Sequence, residues 1–261
     1  MRVVASVIVT VAIAALVFGE RVASQGGANL PRMADGHPNL QGIWEVRNRA
    51  SYDLEDHVAR DGMPAGRSVV EGNTIPYQPW AAARKAENVA KRATADPLNS
   101  CYMPGVPRIM YMEWPFQIVQ TRDHIAMTFE WQQVHRLIYV NGSRPAQPIE
   151  FWMGDSRGRW EGDTLVVQVT NHNDRTWFDM AGNFHSEALK VEERYTLADA
   201  DTLRYEATIN DPKVFTRPWK MAMPFYRITG MERLLEYQCE AEKEEASGDL
   251  ERDPKTWYSQ R

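Results

Sequence analysis

From residue 116 onward, apolar and polar residues alternate with the two-residue period of half-buried β-strands. Phe116–Thr121 and His124–Trp131 predict paired strands around Arg122-Asp123, with Ile125, Met127, Phe129 and Trp131 on one face of the second. His135–Val140 predicts a third, ended by the turn-forming pair Asn141-Gly142. Arg157–Trp160 and Thr164–Thr170 follow, joined through Glu161-Gly162-Asp163. Val191–Leu197 and Thr202–Ile209 make the strongest hairpin. Val191, Glu193, Tyr195 and Leu197 line one side of its first strand, and Leu203, Tyr205, Ala207 and Ile209 one side of the second. A turn centred near Ala200 sets Arg194 opposite Glu206 and Tyr195 opposite Tyr205. Trp219, Met221, Met223 and Phe225 alternate along a further strand, and Met231–Gln238 supplies the last.

The first half of the chain reads differently. Gln41–Arg47 predicts a short opening strand, and the stretch to Pro79 is polar loop without a sustained period. Pro79–Thr94 is the convincing helix, with proline at its first position and alanines at 81, 82, 83, 86, 90 and 93. It stops by Asp96-Pro97, because proline disfavours helix at the residue before it. Glu240–Gly248 predicts a short terminal helix or a frayed tail. About eight or nine strands in sequential order imply a mainly antiparallel sheet, and a sheet of that size curls and closes to remove its edges. The expectation is therefore mainly β: an antiparallel lipocalin-like β-barrel over residues 25–261, with a helical and loop insertion at about 48–113 after the first strand. A two-sheet sandwich is the alternative.

Composition adds compartment. Hydrophobic residues make up 43% and charged residues 25% of the chain, as in ordinary globular proteins. Arg2 followed by an apolar run from Val3 to Phe18 and by Val22-Ala23-Ser24 reads as a secretory signal peptide over residues 1–24. An uncleaved membrane anchor is the alternative, and the run is short for one. Periplasmic or secreted localisation follows, with no stable membrane insertion once the signal is removed. In an oxidising compartment Cys101 and Cys239 are expected to pair, two buried thiols being the alternative. The net charge of −5, mixed along the chain, gives no electrostatic footprint for nucleic acid.

Several segments resemble a family of secreted bacterial proteins of unassigned function: WEGDTLVV at 160–167, HSEAL at 185–189, INDPKVFTRPW at 209–219, DPLNSCYMPGVPRIMY at 96–111 and WPFQIVQ at 114–120. That resemblance covers most of the mature chain and implies no particular reaction. Gly42-Ile43-Trp44 is similar to the Gly-x-Trp of the first lipocalin strand, which implies a barrel holding a small, largely apolar molecule.

Candidate chemistry concentrates between two of the strands. His172 with Asp174, and His185 with Glu187, repeat an i, i+2 spacing at opposite ends of one loop, and Asp179 lies between them. Two such pairs meeting at a barrel mouth supply an imidazole acid or base and carboxylates that orient it or share its proton. The bland alternative is that Asn173 and Asp174 cap turns and the histidines are satisfied by backbone groups. A divalent metal held by the same His and carboxylate atoms is a further alternative, although no recognised ligand motif is present. Glu130, His135 and Arg136 form a secondary constellation, in which Glu130 either faces solvent or points inward. Tyr102, Trp114, Phe129, Trp131, Trp219 and Met221 are candidates to enclose a substrate. No Gly-x-Ser-x-Gly elbow or phosphate-cradling loop is present.

The expected function is cofactor-independent proton-transfer chemistry of lyase, isomerase, cyclase or hydratase type on a small apolar or aromatic compound. The alternatives are a lipocalin-like binding protein for a small hydrophobic ligand and a His/carboxylate metal-dependent enzyme.

Overall fold

A computed structural model of the chain describes residues 30–60, 62–146 and 149–247. Among these, nine strands follow one another around a closed barrel: β1 (Gly42–Glu45), β2 (Phe116–Gln120), β3 (His124–Phe129), β4 (His135–Tyr139), β5 (Asp155–Glu161), β6 (Thr164–Thr170), β7 (Lys190–Leu197), β8 (Thr202–Asn210) and β9 (Trp219–Arg227). The ring closes where β1 pairs with β9 through Trp44↔Arg227 and Glu45↔Tyr226. Every junction is antiparallel except β4–β5, which runs parallel through Ile138↔Ser156 because the connection between them crosses back before β5 begins. The central hairpin has the register its sequence predicts, with Arg194 opposite Glu206 and Tyr195 opposite Tyr205. The sandwich alternative is excluded by closure.

One expected strand is corrected. Met231–Gln238 makes only an isolated bridge, Trp131↔Tyr237, rather than a strand. The pairing of β1 with β9 leaves no open edge for a tenth strand to join. The segment is instead tied down by Glu130, whose carboxylate accepts the Leu235 N–H at 3.1 Å. Of the two readings of the tail, the helix is correct: α2 spans Cys239–Ser247, beginning at the disulfide. Cys101 and Cys239 are bridged, with their Cα atoms 5.6 Å apart. The expected signal peptide lies outside the described residues. Among the described residues, no helix is long and apolar enough to cross a membrane.

The barrel is filled by its own side chains. Inward-facing rings run across it from Phe116 to Phe225 (5.2 Å between centroids), on to Tyr205 (4.9 Å) and to Tyr195 (5.2 Å). The insertion adds to this packing. Its helix α1 (Pro79–Ala95) starts at a proline as predicted, while Val106, Ile109, Met110 and Tyr111 further on are all buried. Met110 reaches the barrel interior, where its sulfur accepts from the Arg136 guanidinium at 3.6 Å. The Tyr111 hydroxyl donates to the Phe178 carbonyl at 2.8 Å, and the Asn88 amide of α1 donates to the Gly182 carbonyl at 3.1 Å. Both bonds fasten the insertion to the loop between β6 and β7, which carries the candidate histidines.

Candidate functional site

The β6–β7 loop doubles back on itself. Trp177 bridges Phe184, and the Phe178 N–H donates to the Asn183 carbonyl at 2.6 Å. Asp179 secures this turn. Its carboxylate accepts from the Asn183 backbone (3.2 Å), the Asn183 side chain (2.5 Å) and the Leu54 backbone (2.9 Å). It is fully buried, and desolvation, reinforced by the nearby Asp53 charge, pushes its pKa up to about 7 against the three donors that favour the carboxylate. These partners give Asp179 the turn-capping role.

The folding of the loop brings His172 and His185 together. Their rings meet edge to face with centroids 5.8 Å apart, and both are buried. Gly154 makes room for His172: with φ +66, a Cβ there would stand 2.8 Å from the imidazole Cε1, so a side chain is excluded both by space and by backbone conformation. Neither nitrogen of His172 has a hydrogen-bond partner. Burial holds its pKa well below the usual imidazole value, His185 and the Arg136 guanidinium lower it further, and the Val169 backbone nearby opposes them only in part.

His185 is better provided. Its Nδ1 lies 2.9 Å from the Ser186 carbonyl and its Nε2 2.7 Å from the Thr176 hydroxyl. A carbonyl only accepts, so Nδ1 carries the proton and Nε2 accepts from Thr176. Desolvation lowers its pKa, opposed in part by the Ser186 carbonyl, Asp211 and Asp174. Asp211, itself buried, accepts from the Ser186 N–H (2.6 Å) and hydroxyl (2.9 Å), which fixes the residue that orients the imidazole. A groove of about 450 Å³ borders His185 and Ser186, walled by Trp80, Phe184 and Asp174. Trp80 projects from the first turn of α1 and is 56% exposed, so an apolar face is open to solvent beside the imidazole.

The other expected residues scatter. Glu187 is exposed and pairs with Lys213, away from the imidazoles. His135 is exposed on β4. Arg136, its neighbour, points into the barrel and forms a buried ion pair with Glu193; its Nη1 lies 3.1 Å from Oε1. Around that pair, Arg136 Nε donates to the Ser156 hydroxyl at 3.0 Å, while Tyr195 and Tyr205 each donate to Glu193 at 2.9 Å. Of the expected aromatic lining, Phe129, Trp219 and Met221 belong to the core. Trp114 and Trp131 line a separate cavity, and Tyr102 packs at 5.2 Å on Trp152. Among the described residues, no three His, Cys, Asp or Glu side chains gather as a metal-binding group.

Thr176, Ser186, Asp211, Glu193 and Trp80 were not among the expected site residues. Glu193 carried a readable signal, since it is an acid in the inward row of an otherwise apolar strand face. The others depend on how the loop folds back. Neither the known family models nor the curated proteins match this chain, so its chemistry is read from these side chains.

Proposed function

We propose that the protein is an exported enzyme that moves protons on a small apolar or aromatic compound without an organic cofactor, with His185 as its acid–base group. One observation carries the reading: an imidazole kept neutral by burial, with both nitrogens oriented, borders a groove walled by Trp80 and Phe184. A general base needs its proton-free form at working pH, and a depressed pKa supplies that form. In the proposed step Nε2 takes the substrate proton once the Thr176 hydroxyl that now donates to it turns away. Asp174 and Asp211 then stabilise the imidazolium that results. Elimination, isomerisation and hydration all include such a step. The carrier alternative is less well supported, because a lipocalin-type site lies inside the barrel and side chains fill this one.

The experiment is α-proton exchange of aryl methyl ketones into D₂O, followed by NMR with wild-type protein and His185→Gln. The substitution is expected to lower protein-catalysed exchange by about 10²-fold or more. Glu187→Gln, out in solvent, should leave it unchanged. Equal exchange by wild type and a folded His185→Gln protein refutes the assignment, as does exchange no faster than in buffer.

A further inference from the structure

A second cavity, of about 670 Å³, lies outside the barrel between α1, α2 and the disulfide, and the proposed reaction makes no use of it. One wall is aromatic. The ring centroids of Trp114, Trp131 and Tyr237 lie 4.7–4.8 Å from one another, and all three side chains line the space. These contacts gather an aromatic surface from the β2 approach, the end of β3 and the segment before Cys239, with Trp131 and Tyr237 stacked at 23° and Trp114 tilted against both.

Two lining side chains carry buried donors without a partner. Arg108 is 1% exposed and holds Asp96 through both terminal nitrogens at 2.8 Å, which leaves its Nε–H unpaired. Trp131 is 5% exposed, and its Nε1–H is also unpaired. A buried N–H without an acceptor costs about 1–3 kcal/mol, which a ligand oxygen at the site recovers. The acceptor need not be charged, since Asp96 already neutralises Arg108. On the lining Asp96 is paired with Arg108 and Glu113 with Arg49, while Glu242 and Lys243 balance, so no excess of positive charge awaits a carboxylate.

We infer that this cavity is a binding site for a small, uncharged aromatic molecule bearing a carbonyl-type acceptor, stacked on the Trp114–Trp131–Tyr237 wall with its oxygen toward Arg108 and Trp131. The ligand class follows from the aromatic wall, the unpaired donors and the balanced charge around them.

Isothermal titration calorimetry with three matched probes tests this: 2-acetylnaphthalene, 2-ethylnaphthalene and 2-naphthoate. The ketone should bind saturably, and each of the other two about tenfold more weakly or worse, the size of one lost hydrogen bond. Ala93 and Ala246 are exposed helix residues that line the cavity, so Ala93→Trp and Ala246→Trp fill it without disturbing the core. The titrations use a Trp80→Ala background, which removes a wall of the His185 groove where aryl methyl ketones are also proposed to bind, and in it each tryptophan variant should abolish ketone binding. No binding of the ketone, equal binding of the ethyl probe, tighter binding of the naphthoate, or binding that survives both folded tryptophan variants overturns the inference.

Discussion

Replacing Arg136 with methionine strips the barrel interior of its cation while keeping most of its volume. In the native protein, Glu193 is fully buried and accepts from both terminal nitrogens of Arg136 and from the hydroxyls of Tyr195 and Tyr205. The substitution removes the guanidinium and leaves a buried carboxylate with two phenolic donors. Breaking a buried pair by removing one partner costs about 3–5 kcal/mol, and the remaining phenols place this case near about 3 kcal/mol. A second change, Glu193→Gln, removes the stranded charge and lets the amide oxygen accept from the tyrosines. The double variant should therefore be more stable than Arg136→Met alone by about 2 kcal/mol, although it has lost more native contacts. Urea unfolding at pH 7.5 reads both differences. A cost below about 1 kcal/mol, or a double variant no more stable than the single, refutes the view that the interior is organised around this charge pair. The same substitution bears on the site. The Arg136 charge lowers the His172 pKa, so its removal should move the His172 ring titration upward in NMR.

His172→Phe should be neutral or stabilising at pH 7.5, since it removes two unpartnered buried nitrogens for a ring of similar size. It should also reduce acid sensitivity. A depressed imidazole pKa gives stability that is complete above about pH 6.5 and lost as pH falls through the folded value, so the variant should gain on wild type in Tm as pH drops from 7.5 to 5. Asp179→Asn carries the opposite sign. A carboxyl raised to about 7 contributes stability that is complete below about pH 4 and lost as pH rises through 7, so the difference in Tm between variant and wild type should move in the variant's favour from pH 5 to pH 8. A pH-independent difference in either case removes the titration from the explanation.

Strand alternation made most of the barrel legible, because period-two burial needs only neighbouring residues to be read. β7 and β8 show this best, with Val191, Tyr195, Leu203 and Tyr205 buried in the alternating rows the sequence lays out. Closure was readable only as a tendency, and that is why Met231–Gln238 was misread: its apolar content suits a strand, but a closed ring has no edge to offer. The site was legible in its histidines and not in their partners. His172 and His185 stand out as rare residues on one loop, whereas Thr176, Ser186 and Asp211 become partners of His185 only after the loop folds back and β8 ends beside it. Asp179 and Glu187 look alike in sequence. One caps a buried turn and the other sits in solvent with Lys213, a difference set by tertiary packing.

The insertion after β1 explains why the candidate sites lie where they do. A nine-stranded barrel of this kind has room for a ligand, yet here the aromatic rows and the Arg136–Glu193 network meet across it, and Met110 from the insertion touches that network. A filled interior cannot bind without unpacking, so recognition passes to surfaces the insertion itself builds. Helix α1 supplies Trp80 to the groove beside His185, and its far end supplies Ala93 to the cavity behind the disulfide. The two spaces thus share one helix, held at its middle by Asn88 on the histidine loop. The bond from Cys101 to Cys239 holds α2 against the second space. The barrel then serves as a rigid frame, and the residues proposed for catalysis and binding sit on segments wrapped around it.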